Sequence, residues 1–216
     1  DYYGAGCNIV IPNPDAPTGI PLTIPQIRSI VEANSDHIVI IDEAYVDFGG
    51  ESCIPLIRDY DNLLVTQTFS KSRSLAGGRL GFGIGNPDLI RDLNTMRFST
   101  NPYNVNRMTM AAGVGALEDG DYFRSNCQAI MDNRAWTIEE LSKLGFEALP
   151  SLTNFVFTKN SNIAGKALYQ KLKDQGILVR HFDTPRLTDY IRVTIGSAEQ
   201  MAAFIRTTKD ILEEIK

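Results

Sequence analysis

Residues 37–68 read HIVIIDEAYVDFGGESCIPLIRDYDNLLVTQT. Two segments of this stretch, HIVIID at 37–42 and NLLVTQT at 62–68, are short, nearly all apolar and rich in β-branched side chains. Such runs fit strands buried on both faces, as in a parallel sheet covered by helices on either side. His37, at the start of the first run, is expected at the edge of a strand. Upstream, CNIVIPNP at 7–14 is a further short strand, stopped by prolines. TIPQIRSIVEAN at 23–34 places Ile24, Ile27, Ile30 and Val31 at helical spacing, with Pro25 in the first turn. Downstream, LGFGIG at 80–85 is a glycine-rich strand, and NPDLIRDLNTMRF at 86–98 is a helix opened by Asn86 or Asp88. Strands alternating with helices predict an α/β fold with a mainly parallel sheet.

A helix is expected from Val105 to Leu117, and a long one over DYFRSNCQAIMDNRAWTIEELSKLG, closed by Gly145. The pattern then changes. TNFVFTK (153–159), ILVRHF (177–182) and DYIRVTIG (189–196) are strands, and NIAGKALYQKLKDQG and AEQMAAFIRTTKDILEEI are helices. The tail is therefore a smaller α+β domain, and the expected division is 1–120 and 121–216, with the long helix entering the second part.

The 216 residues are 43% hydrophobic and 22% charged, an ordinary globular composition. A net charge of −5 argues against nucleic acid as a partner, which calls for a basic face. No apolar run reaches membrane length. The three cysteines, Cys7, Cys53 and Cys127, form no CxxC pair, and only two histidines exist, His37 and His181. Neither a disulfide framework nor a metal site is expected, and reduced thiols suit a cytoplasmic protein. No GxSxG elbow is present.

In α/β sheets, ligand chemistry gathers at strand ends. Four segments fall at such ends or in adjoining loops: NPDAPTG (13–19), DEAY (42–45), SKSRSLAGGRLG (70–81) and RVTIG (192–196). A carboxylate such as Asp42 at the end of a buried strand is costly unless partnered; it can cap a helix, form a structural ion pair, or face a cationic ring nitrogen. Tyr45 offers a phenol, and Lys71 an amine able to attack a carbonyl once deprotonated. Thr68, Ser70 and Arg79 are donors suited to a phosphate, and the glycines at 77, 78 and 81 let a backbone approach closely.

In order and spacing, these segments resemble those of the fold-type I pyridoxal-phosphate aminotransferases, in particular the histidinol-phosphate aminotransferase group. The Pro-Thr-Gly turn, IDEAYVDF and TFSKSRSLAGGRLG resemble successive signatures of that group; GILVRHF and YIRVTIGS resemble its two arginine segments. The resemblance runs from Ile9 to the C-terminus. It implies the latter half of the large, cofactor-binding domain followed by the small domain. Lys71 would be the Schiff-base lysine and proton shuttle, Asp42 the partner of the pyridine nitrogen, and Tyr45 the partner of the ring's phenolic oxygen. Ser70, Arg79 and Thr68 would hold the cofactor phosphate. Arg180, Arg192 and Asn154 would bind the substrate, either histidinol phosphate or glutamate. The implied partners are a small amino donor and a 2-oxo acid, and the implied assembly a homodimer. The same fold also serves aromatic amino-acid aminotransferases and threonine-phosphate decarboxylases, and a non-catalytic or regulatory relative would keep it without turnover.

The chain departs from that group in two places. Ala16-Pro17-Thr18-Gly19 stands where the group usually has Asn-Pro-Thr-Gly. The neighbouring Asp15 would repel a phenolate, so Tyr45 serves alone or Asn13 substitutes. The resemblance also implies a hundred or more residues before Asp1, carrying part of the phosphate cradle and an aromatic that stacks on the ring. By itself the chain is expected to be a truncated, inactive portion.

Overall fold

The computed structural model describes residues 2–215. They form two compact units: residues 2–15 with 21–125, and residues 16–20 with 126–215. The boundary at 125/126 falls within the helix Gly120–Lys143.

In the first unit, β1 (Ile9–Pro12), β2 (Val39–Asp42) and β3 (Leu63–Thr68) are parallel neighbours, and β4 (Gly81–Gly85) pairs antiparallel with β3. The register aligns Ile9 with Val39 and Val39 with Leu63, then Ile11 with Ile41 and Ile41 with Val65. Both rows are buried against Ile27, Ile30 and Val31 of α1 (Ile24–Glu32). Thr23 caps that helix in a capping box with Gln26, satisfying amides that the helix leaves open. The short strand expected at 7–14 is buried on one face only: Ile9 and Ile11 are 5% exposed and Val10 64%. Among the described residues of this unit, α1 covers one face of that strand. Asn86 caps α2 (Pro87–Thr100) and Asn106 caps α3 (Arg107–Glu118). No residue of α2 is buried.

In the second unit, β5 (Phe146–Ala148), β6 (Phe155–Asn160), β7 (Arg180–His181) and β8 (Ile191–Thr194) form an antiparallel sheet in the order β5-β6-β8-β7. The C-terminal part of α4 (Gly120–Lys143), α5 (Gly165–Asp174) and α6 (Ala198–Glu214) supply Leu141, Leu168, Leu172, Phe204 and Ile211 to one core with Val156, Ile191 and Val193 of the sheet. Gly145 takes φ +81 just past α4, the left-handed conformation that glycine adopts without strain. Of the strand expected at 177–182, only Arg180–His181 pairs. The three-residue β5 had no sequence signal.

Candidate active site

β2 and β3 are parallel, so their C-terminal ends lie on the same side of the first unit's sheet. Asp42 pairs there with Thr66, two residues before Thr68. Alternation along the strand puts Asp42 on the face opposite Ile41. Its Oδ1 accepts from the Ala44 amide at 3.1 Å, a turn cap that leaves Oδ2 with no bond among the described residues. Tyr45 enters a short 3-10 turn, Val46–Phe48, and its ring lies 5.3 Å from Lys71 Nζ. Lys71 is exposed, three residues beyond β3.

The loop after β3 has its own order. Thr68 Oγ1 donates to Ser70 Oγ at 2.9 Å and accepts from the Ser70 amide at 3.1 Å. Ser72 donates a short hydrogen bond to Asp47, tying the Lys71 loop to the turn that carries Tyr45. Ser74 and Arg79 adopt φ +54 and +53, unusual for residues with side chains and a sign of an over-determined loop. Arg79 donates from Nη1 to the Ala76 carbonyl at 3.1 Å; its other guanidinium donors make no bond among the described residues.

The glycines divide. A Cβ at Gly78 would come within 2.9 Å of Leu75, and one at Gly81 within 2.9 Å of the Gln67 carbonyl, so the chain's own packing demands both. At Gly77 a Cβ would meet nothing within 4 Å. Of the three glycines expected to admit a ligand, only Gly77 lacks a packing reason of its own. The hydroxyl pair, the exposed guanidinium, the open backbone at Gly77, the amine and the carboxylate are the kinds of group that a phosphorylated aldehyde with a basic ring calls for. Asn13 stands apart: it is buried, and its side chain bonds Leu22 through Oδ1 (2.6 Å) and Nδ2 (3.4 Å). Its amide is thus committed to closing the loop 13–22.

Two groups near this turn were missed by the sequence reading. Glu43, 2% exposed, accepts from Ser52 Oγ and the Cys53 amide, both at 2.6 Å, and from Gln67 Nε2 at 2.8 Å. Burial, then the nearby Glu43 carboxylate, pushes the Cys53 thiol well above its ordinary range. The one available signal was a second acid directly after Asp42, on the opposite side of the strand.

The second unit holds the other expected residues. Phe157, Arg192 and Arg180 form one row across β6, β8 and β7, so the two arginines lie directly opposite each other. Like charges so placed repel. Neither forms a salt bridge among the described residues, and the buried Arg192 Nε has no hydrogen-bond partner. Both guanidinium groups lean on Phe182, at 5.4 Å and 5.6 Å, and Arg192 also lies 5.0 Å from Phe155. Asn154 accepts from the Ile195 amide through its backbone carbonyl at 2.9 Å. Gly19 belongs to this unit: its carbonyl accepts from the Leu152 amide at 3.1 Å, and a Cβ there would come within 2.6 Å of Ser151 Oγ. Among the described residues, no cluster of metal-binding side chains occurs, and no helix is long and apolar enough to cross a membrane.

The sequence matches the model of the family described as aminotransferase class I and II over residues 5–207. It is 45% identical over 215 residues to histidinol-phosphate aminotransferase of Clostridium botulinum (strain 657 / Type Ba4), covering 100% of this chain and 61% of that protein. It is 49% identical over 214 residues to histidinol-phosphate aminotransferase of Brachyspira hyodysenteriae, covering 99% of this chain and 60% of that protein. Among solved structures, the Clostridium acetobutylicum histidinol-phosphate aminotransferase aligns with TM-score 0.88 at 27% identity, over 96% of this chain and 64% of that one. The Sinorhizobium meliloti enzyme, solved in complex with pyridoxal-5'-phosphate, aligns with TM-score 0.86 at 25% identity, over 96% of this chain and 58% of that one. The chain thus spans about 60% of the length of the curated relatives it matches.

Proposed function

Because the chain belongs to the aminotransferase class I and II family, we propose that it is a portion of a pyridoxal-phosphate-dependent histidinol-phosphate aminotransferase. The protein would transfer the amino group between histidinol phosphate and the 2-oxoglutarate/glutamate pair. The observation that carries this reading is Lys71 Nζ, 5.3 Å from the Tyr45 ring, at the strand ends that also present Asp42 and the Thr68–Ser70 hydroxyl pair.

Pyridoxal phosphate, when bound, supplies a ring that withdraws the electron pair left at a substrate carbon. Lys71 would hold its aldehyde carbon before substrate arrives and, once released by the substrate's amine, would take up and return the proton at the substrate's α-carbon. Asp42, whose Oδ1 is engaged by the Ala44 amide, would face the ring nitrogen and keep its proton there. Tyr45 donates to the phenolic oxygen, a contact the chain must make without the family's usual asparagine, since Ala16 stands there and Asn13 is engaged with Leu22. Thr68, Ser70 and Arg79 hold the phosphate by charge-assisted hydrogen bonds. Arg180 and Arg192, with Asn154, take the anionic end of the substrate; an arriving anion offsets the repulsion between the two arginines. A cytoplasmic homodimer belongs to the same reading.

The test uses the full-length protein, assayed with histidinol phosphate, phenylalanine and threonine phosphate, with 2-oxoglutarate as acceptor. Transamination of histidinol phosphate, lost in Lys71→Ala with the fold unchanged by circular dichroism, is the expected result. Equal turnover of phenylalanine, or decarboxylation of threonine phosphate, overturns the substrate assignment. Activity surviving in Lys71→Ala overturns the mechanism.

A further inference from the structure

Glu43 follows the last residue of β2 and extends its ladder: its amide donates to the Thr66 carbonyl at 2.8 Å. Its own carbonyl accepts from the Val46 amide at 3.2 Å, opening the turn that carries Tyr45. Alternation turns its side chain to the face opposite Asp42, the face where Ile41, Cys53 and Val65 are buried. There the carboxylate joins three segments. Oε2 accepts from Ser52 Oγ and Gln67 Nε2, and Oε1 from the Cys53 amide. Ser52 and Cys53 end the loop that leaves the Tyr45 turn, and Gln67 immediately precedes Thr68. One buried side chain therefore fixes the spacing between the strand end bearing Asp42, the turn bearing Tyr45 and the strand end bearing Thr68. None of its three donors is a cation, so the carboxylate rests on hydrogen bonds alone, each strengthened by its charge.

We propose that Glu43 is a positioning residue for the cofactor, holding Asp42, Tyr45 and Thr68 in binding geometry from the opposite face of the sheet. This rests on the function proposed above. The claim concerns geometry rather than charge. A glutamine at 43 can keep the Cys53 amide bond and can meet Ser52 and Gln67 if the hydroxyl rotates and the Gln67 amide turns over. An alanine leaves all three donors without an acceptor.

The experiment measures pyridoxal phosphate affinity by absorbance titration of the full-length protein. In parallel, mass spectrometry follows alkylation of the Cys53 peptide without cofactor. Glu43→Ala is expected to weaken binding roughly ten- to a hundredfold and to speed Cys53 alkylation, while Glu43→Gln stays within about threefold of the parent on both. Should Glu43→Ala not fold, Gln67→Leu removes one of the three donors at similar size, with a smaller loss in the same direction expected on both readouts. Parental affinity in Glu43→Ala, or in Gln67→Leu when that variant is needed, overturns the inference. Equal loss in Glu43→Gln and Glu43→Ala also overturns it, making the charge the active feature. A parent protein that takes up no pyridoxal phosphate overturns the functional reading itself, an outcome distinct from a parent that binds and a variant that binds equally well.

Discussion

Arg180 and Arg192 face each other across β7 and β8, a like-charge pair that costs stability and that an anion would offset. Replacing either by alanine should raise the Michaelis constant for histidinol phosphate roughly ten- to a hundredfold, the range for losing a charge-assisted hydrogen bond of about 1.5–3 kcal/mol. For the exposed Arg180 the melting temperature should hold or rise, because the repulsion is relieved. A fall in both affinity and stability would mark the residue as structural. Cys53 makes a second case at this scale. Its thiol is held above the ordinary value of 9.0 by burial and by Glu43, so the folded chain keeps this proton where the unfolded chain loses it. The resulting contribution to stability is complete below pH 9 and declines as pH rises beyond it, by up to about 1.4 kcal/mol per pH unit. Chemical denaturation at pH 8 and pH 10 should show a smaller decline in Cys53→Ala than in the parent. Identical declines would mean that the thiol does not titrate differently in the two states.

Elements were legible where one local force dominates. The runs at 37–42 and 62–68 declared β2 and β3 because β-branched side chains in an unbroken apolar run suit little else. The ends of those strands then pointed to Asp42 and Lys71. The antiparallel sense of β4 was not legible, since a glycine-rich run carries no direction. Nor was β5, too short for any period, nor the shrinkage of 177–182 to two paired residues with Leu178 left 78% exposed. Glu43 was hidden for another reason: its partners at 52, 53 and 67 are brought to it only by the fold. Caps were partly readable, and they separate in consequence. Ser197 closes a capping box on α6, whose Phe204, Ile205 and Ile211 are buried. Ser197→Ala should therefore cost about 0.5–2 kcal/mol of stability, read from the urea midpoint. Asn86 caps α2, which buries nothing, so Asn86→Ala should speed amide exchange in the first turn of α2 while moving the urea midpoint little. A large midpoint shift for Asn86→Ala would show that α2 is covered in the folded protein.

At the scale of the whole chain, the unpartnered surface and the length comparison point the same way. Val10 on β1, Phe98 on α2 and Met108 on α3 are 64%, 62% and 84% exposed, although soluble monomers rarely leave large apolar faces open. The matched relatives extend well beyond the stretch shared with this chain, which covers 61% of the Clostridium botulinum protein. Of the proposed cofactor contacts, Thr68, Ser70 and Arg79 are the three that would meet a phosphate. A stacking face or backbone donor supplied from beyond this stretch would add on the order of 1 kcal/mol, and about 1.4 kcal/mol is a tenfold change in affinity. Lys71 is also exposed, and imine formation needs the aldehyde held within reach of the amine. The 216 residues expressed alone should therefore bind pyridoxal phosphate at least tenfold more weakly than the full-length protein, catalyse no transamination, and associate with rising concentration in sedimentation velocity. Tight, stoichiometric cofactor on Lys71 in this isolated, monodisperse chain would overturn the prediction: these residues would then hold the cofactor unaided, and the exposed apolar faces of α2 and α3 would need another explanation.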